Sequence, residues 1–237
     1  MSAASLLRRL VCAVALACAP LWAPAALAQP AAQTAPQERG VPVQEVVSPG
    51  GIHAWLVSNS TVPMIVLRAY WRGGAAIEDP ARAGITGVMA DMLTEGAGAM
   101  NADAFKVRLE ELNMSLGFSA DWDGVTMGLV TLTANRDAAF EMARLALTAP
   151  RFDAAPLERM KRQMLVAIRQ RETNPGYIAN LAMDQALIPD HPYARRSTPA
   201  NVAAMDRASI AALAHARLRR DGIEITVVGD IDAARLG

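Results

Sequence analysis

Residues 64–72 set Ile65, Leu67, Ala69 and Trp71 against Val66, Arg68, Tyr70 and Arg72. A period of two with one apolar face predicts a strand buried on one side. The runs 43–47 and 52–58 also read as strands, and Ser48-Pro49-Gly50-Gly51 between them is a turn signal. Residues 59–63 separate the second strand from the third, which Gly73-Gly74 ends. The pattern then lengthens to that of a helix over 85–95 and 102–113. In the second of these, Asn101 is the N-cap and Phe105, Leu109 and Leu112 form the apolar stripe. Strands return at 114–121 and 125–133, joined by Trp122-Asp123-Gly124, whose Asp-Gly pair is a hairpin signal.

Helices follow at 136–148, 154–172 and 176–187, the last two parted at Asn174-Pro175, because a residue before proline is pushed out of the helical region. Residues 190–193 are a loop, 199–205 a short helical turn, 208–219 a helix and 222–228 a last strand. Three strands, two helices, two strands, several helices and one strand make an α+β layout, with an antiparallel or mixed sheet covered by helices. Strands and helices do not alternate one by one, which disfavours a doubly wound fold.

Composition changes the picture mainly at the N-terminus. Arg8 and Arg9 precede an apolar run from Leu10 to Ala23, and Ala26-Leu27-Ala28 is a small-residue cleavage site. This is the anatomy of an export signal over 1–28, cleaved after Ala28, with a periplasmic mature chain expected. A lipoprotein reading puts the attachment site at Cys18, after Ala15-Leu16-Ala17; the apolar Pro20-Leu21-Trp22 and the good site at Ala28 argue against it. Residues 29–40, rich in Ala, Pro and Gln, are expected to be a disordered linker, and 41–237 a folded domain. Both cysteines, Cys12 and Cys18, fall inside the signal, so the mature chain is expected to have no disulfide and no thiol nucleophile.

The 237 residues carry 23 basic and 23 acidic side chains. Removing the signal takes two arginines and no acid, and no basic patch stands out, so nucleic acid is not an expected partner. After Ala28 no apolar run is long enough to span a membrane.

The most informative segment is Gly84-Ile-Thr-Gly-Val-Met-Ala-Asp-Met-Leu-Thr-Glu-Gly96. A helix binds zinc through side chains at i and i+4, one turn apart on one face, and an acid at i+3 reaches the same pocket as general base. The inverted form of that motif is His-x-x-Glu-His. Here the matching positions are Gly87, Ala90 and Asp91.

Around this helix stand further ordered segments: Phe118-Ser119-Ala120, Pro150-Arg151-Phe152, the helix from Leu157 to Glu172 before Asn174-Pro175, His191-Pro192-Tyr193 and Val227-Val228-Gly229-Asp230. In order and spacing they resemble the N-terminal half of an insulinase/pitrilysin-type zinc peptidase, near the mitochondrial-processing-peptidase branch. The resemblance runs from about Val41 to Ile231. It implies a processing-peptidase-like metallohydrolase fold. In active relatives the two histidines would stand at Gly87 and Asp91, the base at Ala90, and a last glutamate ligand at or beside Ala167. All four are replaced. The residues therefore assign no catalytic residue, no metal ligand and no cofactor.

Other constellations give no substitute. His53, His191 and His215 are not spaced to share a ligand. Asp91 and Glu95 share a helix face and could pair as carboxylates, though such acids are more often solvated or paired with a base. Ser119 lacks a nucleophile-elbow pattern. The 12 methionines fit core gap-filling better than copper. Arg159, Lys161, Arg162, Arg169 and Arg171 read as a solvated helix face, with an acidic docking partner as the minority reading.

The resemblance implies a catalytically silent, exported homologue that pairs with a zinc-bearing homologue to enclose unfolded peptide. It also implies a second, similar domain, which the 237 residues do not contain. Two other readings stay open: a stand-alone envelope module that binds peptide or acts as a scaffold, and an active metallopeptidase with an unusual site around Asp91.

Overall fold

The computed structural model describes residues 40–237; the expected signal, and the expected linker but for its last residue, lie outside the described residues. Eight strands and eight helices follow in chain order. They are β1 (Gln44–Val47), β2 (His53–Ser58), β3 (Met64–Arg72), α1 (Ile85–Met92), β4 (Gly96–Ala97), β5 (Met100–Asn101), α2 (Ala102–Glu111), β6 (Ser115–Ala120) and β7 (Gly124–Leu132). Then come α3 (Arg136–Thr148), α4 (Ala154–Glu172), α5 (Pro175–Leu187), α6 (Pro199–Ala203), α7 (Arg207–Arg217), β8 (Ile223–Gly229) and α8 (Ala233–Leu236). The α+β layout with a mixed sheet is the one the sequence pattern implies.

Six strands form one sheet in the order β1-β2-β8-β3-β7-β6. Only β2 and β8 pair in parallel; the other neighbours are antiparallel. In one row of the register, Leu56, Val227, Leu67, Leu129 and Leu116 face each other across five strands, and all are buried. Each such side chain contributes roughly 1.5–3 kcal/mol of burial. Residues one step along each strand point to the other face, as the pleat requires.

Two apolar clusters fill the interior. One lies between the sheet and α2 and α3, and includes Phe105, Leu112, Met142 and Ala146. The other gathers α1, α4 and α7 through Met89, Met92, Leu93, Leu157 and Ile210. Phe118 and Leu218 pack against both.

Several caps follow the sequence. Asn101 Oδ1 accepts from the Ala104 amide (2.9 Å) and Asn174 Oδ1 from Tyr177 (3.0 Å). The Asp-Gly hairpin forms with Asp121 Oδ1 accepting from the Gly124 amide at 2.8 Å. One expectation needs correction. The helix predicted through Glu95 stops at Met92, and residues 93–95 tighten into i→i+3 turns ended by Gly96 at φ +114°. That end releases the short β4–β5 hairpin, which the pattern did not foretell. No helix among the described residues is long and apolar enough to cross a membrane.

Candidate functional site

The site is built on α1, and α1 is held from its N-terminus. Gly84 is its N-cap at φ +95°, a conformation that resists a side chain, and a Cβ there would also meet Met164 Cε and Ser197 Oγ at 2.5 Å. With no capping side chain at Gly84, the first amides of the helix are satisfied from outside. The Glu78 carboxylate is buried and accepts from the Gly84 amide at 2.7 Å and the Thr86 amide at 2.6 Å. A negative charge at a helix N-terminus is favoured by the helix field as well. The segment carrying Glu78 is itself tied down. Arg217 donates to the Ile77 carbonyl (3.2 Å), Arg195 to Glu78 (3.1 Å) and Asn201 to Pro80 (3.0 Å). The sequence reading missed Glu78, and an acid six residues before a glycine-capped helix was its only signal.

Of the four positions where the resemblance places zinc chemistry, the structure brings three onto α1. Gly87 has open space where a Cβ would stand. Ala90 is buried and offers no donor, and Asp91, one turn after Gly87, is exposed. The fourth, Ala167, lies on the exposed side of α4, the helix packed against α1. It lines a shallow groove with Arg159, Arg162, Gln163 and Val166. Zinc wants at least three protein donors. This set supplies one carboxylate, so these residues do not fit the metal, and no chemistry is derived through it. Among the described residues no group of three or more His, Cys, Asp or Glu comes together in a way that could hold a metal ion.

Asp91 and Glu95 do not work as a carboxylate pair. Glu95 is buried and is taken up by cations from two other helices: Arg159 of α4 at 2.6 Å and Lys106 of α2 at 3.3 Å. Burial alone would raise its carboxyl pKa, but the Arg159 and Lys106 cations against it outweigh that and hold it below the ordinary range. Asp91 has no such partner among the described residues. Surrounding protein, and then the Glu95 charge, push its carboxyl above the ordinary range. The basic helix α4 is thus only partly a solvated face: Arg159 clamps Glu95, and Lys161 donates to the Met205 carbonyl at 3.1 Å.

The histidines stay apart. His53 faces solvent beside Glu45 at 2.8 Å. His191 accepts from the Tyr193 amide at 3.2 Å, and His215 is exposed in the last turn of α7. Beside α1, the strand β6 closes one edge of the sheet, pairing on one side with β7 and having no strand on the other among the described residues.

No protein-family model matches the chain. Comparison of structures is more informative. The peptidase M16 inactive domain from Pseudomonas fluorescens superposes with a TM-score of 0.75 at 27% identity, over 81% of this chain and 48% of that one. The chain is a homologue of the pitrilysin-type, M16 peptidases. Pitrilysin itself shares the fold, with a TM-score of 0.70 at 14% identity over 84% of this chain and 22% of that one. Among curated proteins, the "Non-peptidase homolog YmxG" of Helicobacter pylori is 30% identical over 136 residues. The chain spans about a third (32%) of that relative and about half (48%) of the P. fluorescens structure. On α1 it has Gly87, Ala90 and Asp91 at the positions where the resemblance would place His-x-x-Glu-His.

Proposed function

We propose that this M16 homologue is a catalytically silent, exported chain that pairs with a zinc-bearing homologue and helps to enclose unfolded peptide for that partner's chemistry. One observation carries the reading: α1 is fully built, with Glu78 on its first amides and Glu95 clamped at its end, while Gly87, Ala90, Asp91 and Ala167 leave no donor set. Such a chain contributes binding and orientation, not a reacting group. The β6 edge next to α1 supports the peptide part, because an extended chain adds to an open edge through main-chain hydrogen bonds. Export rests on the signal anatomy of residues 1–28.

The test is zinc content and hydrolysis of an unfolded peptide by the purified chain, alone and mixed with a His-x-x-Glu-His homologue from the same cell. The expected result is no bound zinc and no cleavage alone, with the partner's rate rising on mixing. Stoichiometric zinc with cleavage by the isolated chain sinks the proposal. Peptide binding with no effect on any zinc-bearing homologue favours the stand-alone module instead. The position-by-position carry-over has its own check: the triple variant Gly87→His, Asp91→His, Ala167→Glu is expected to bind one zinc. Failure of a folded triple variant to bind zinc would mean that these positions do not converge.

A further inference from the structure

A groove of about 1000 Å³ runs between the end of α3 with the residues after it and one face of α7, away from the zinc positions. Its floor is apolar, with Phe152, Ala211, Ala214 and Leu218, and its rim carries Arg151, Arg207, Arg219 and Arg220. Along α7 and its C-cap, Arg207, Ala211, Ala214 and Leu218 follow helical spacing, so one face presents a cation and then an apolar track kept shallow by two alanines.

Only two of the four arginines are balanced by acids. Arg151 pairs with Asp153 at 2.7 Å and Arg219 with Asp221 at 3.2 Å. Arg207 and Arg220 instead bond backbone carbonyls, those of Arg151 (3.1 Å) and Gly50. Neither has a carboxylate partner among the described residues. Helix ends explain part of this clustering, because α3 and α7 both finish at the groove and a helix C-terminus attracts cations. They do not explain Arg207, which stands in the first turn of α7, where the helix field opposes a cation. The nearby N-cap, Asp206, is turned to its own helix and accepts from the Ser209 amide at 2.7 Å. The whole chain is formally neutral, so an uncompensated pair of arginines over an apolar floor is a local feature.

We propose that this groove docks an acidic peptide segment of a protein partner, with carboxylates on the guanidinium rim and a bulky apolar side chain over Ala211 and Ala214. Guanidinium groups suit carboxylates because their planar donors match two acceptor oxygens. The apolar floor adds burial that a bare anion such as phosphate leaves unused. The surface is separate from the β6 edge, so this proposal stands or falls independently of the pairing proposed above.

The experiment is fluorescence anisotropy of a labelled peptide built from Glu and Leu, with a Lys–Leu peptide and a Glu–Ser peptide as comparisons, on the purified chain. The Glu–Leu peptide is expected to bind best, and added salt to weaken it. The double variant Arg207→Glu, Arg220→Glu is expected to weaken binding by about tenfold or more, as loss of interfacial charge pairs does. The reversal Arg162→Glu, Arg169→Glu on the exposed side of α4 is expected to change it little. Circular dichroism confirms folding of each variant, and Arg207→Ala replaces the double variant if that one does not fold. The proposal is overturned if the Lys–Leu or Glu–Ser peptide binds as well as Glu–Leu. It is equally overturned if the α4 reversal weakens binding as much as the groove reversal, or if a folded groove variant binds normally.

Discussion

Two adjacent rows of the sheet, one on each face, are both apolar and meet opposite fates. On one face Leu56, Val227, Leu67, Leu129 and Leu116 stand in register under α2 and α3, and each is buried. One step along the same strands, Val57, Val228, Val66 and Val130 form a matching row on the other face. There Val66 is 40% and Val228 42% exposed, with Trp55 at 52% on the next row toward the edge. Strand alternation tells which residues share a face. In β3 the polar Arg68, Tyr70 and Arg72 also mark the open face, but the pattern does not tell what covers the other, because the cover arrives from helices further along the chain.

A smaller version of the contrast lies on and just past α1. Asp91 and Glu95 are one turn apart and chemically alike, yet Glu95 is buried between Arg159 and Lys106 while Asp91 stands exposed, without a partner among the described residues. Pairing and cover distinguish these two carboxylates, as cover distinguishes the two rows of the sheet.

The largest effect is expected where the covered row is broken. Leu129→Ala removes a fully buried side chain from the middle of the sheet and is expected to cost about 2–5 kcal/mol in chemical unfolding. A cost near that of a surface substitution would mean that α2 and α3 do not close over this face as described.

Next is the clamp. Glu95→Gln leaves Arg159 and Lys106 without their counter-charge, and both are about half-exposed, so the expected loss is about 1–2 kcal/mol, below that of a fully buried pair. Because the folded-state carboxyl is held below its ordinary 4.5, its stabilisation is present above that value and fades as pH falls through the lowered one. The gap between wild type and Glu95→Gln should therefore be widest near neutral pH and close under acid. A gap independent of pH would mean that the ion pairs do not form in solution.

Asp91→Asn should act in the opposite direction. Its folded-state carboxyl is raised above the ordinary 3.8, so protonation favours the fold below that value and the benefit is lost as pH rises through the raised one. At neutral pH the ionised form is a small burden on an exposed position, and the amide is expected to gain under about 0.5 kcal/mol, visible as a higher melting temperature. A loss would show that Asp91 has a partner that the structure does not reveal.

How much of this was legible in the sequence depends on how far the cause lies along the chain. The alternation of Ile65 to Trp71, the Asn101 cap and the Asp123-Gly124 turn are set by neighbours within a few residues, and all appear. The pairing of β2 with β8 joins Leu56 to Val227, and no local pattern records it. The four positions where the resemblance places zinc chemistry were counted off along the chain, three from the motif's spacing on one helix and Ala167 from the distance to the next. The groove rim was not, since Arg151 and Arg207 become neighbours only when α7 packs beside the residues after α3. Arg159 read as part of a solvated face because its partner Glu95 lies more than sixty residues earlier.

The smallest expected effect is the sharpest test of the two-face comparison. Val66→Thr and Val228→Thr exchange a methyl for a hydroxyl on adjacent strands, paired in one row, and keep the β-branched shape that a strand favours. If the row is bare, the hydroxyls are hydrated in both folded and unfolded states, and each change should stay within about 0.5 kcal/mol. If another surface covers the row in solution, the same hydroxyls are buried without a partner and each costs about 1–3 kcal/mol. Measuring both variants at low and high protein concentration separates the cases further. A cover supplied by a second copy makes the cost grow with concentration, because binding stabilises only the state that binds. A cost that is small and independent of concentration leaves the valine row bare on this chain, and places the difference between the two faces in the helices alone.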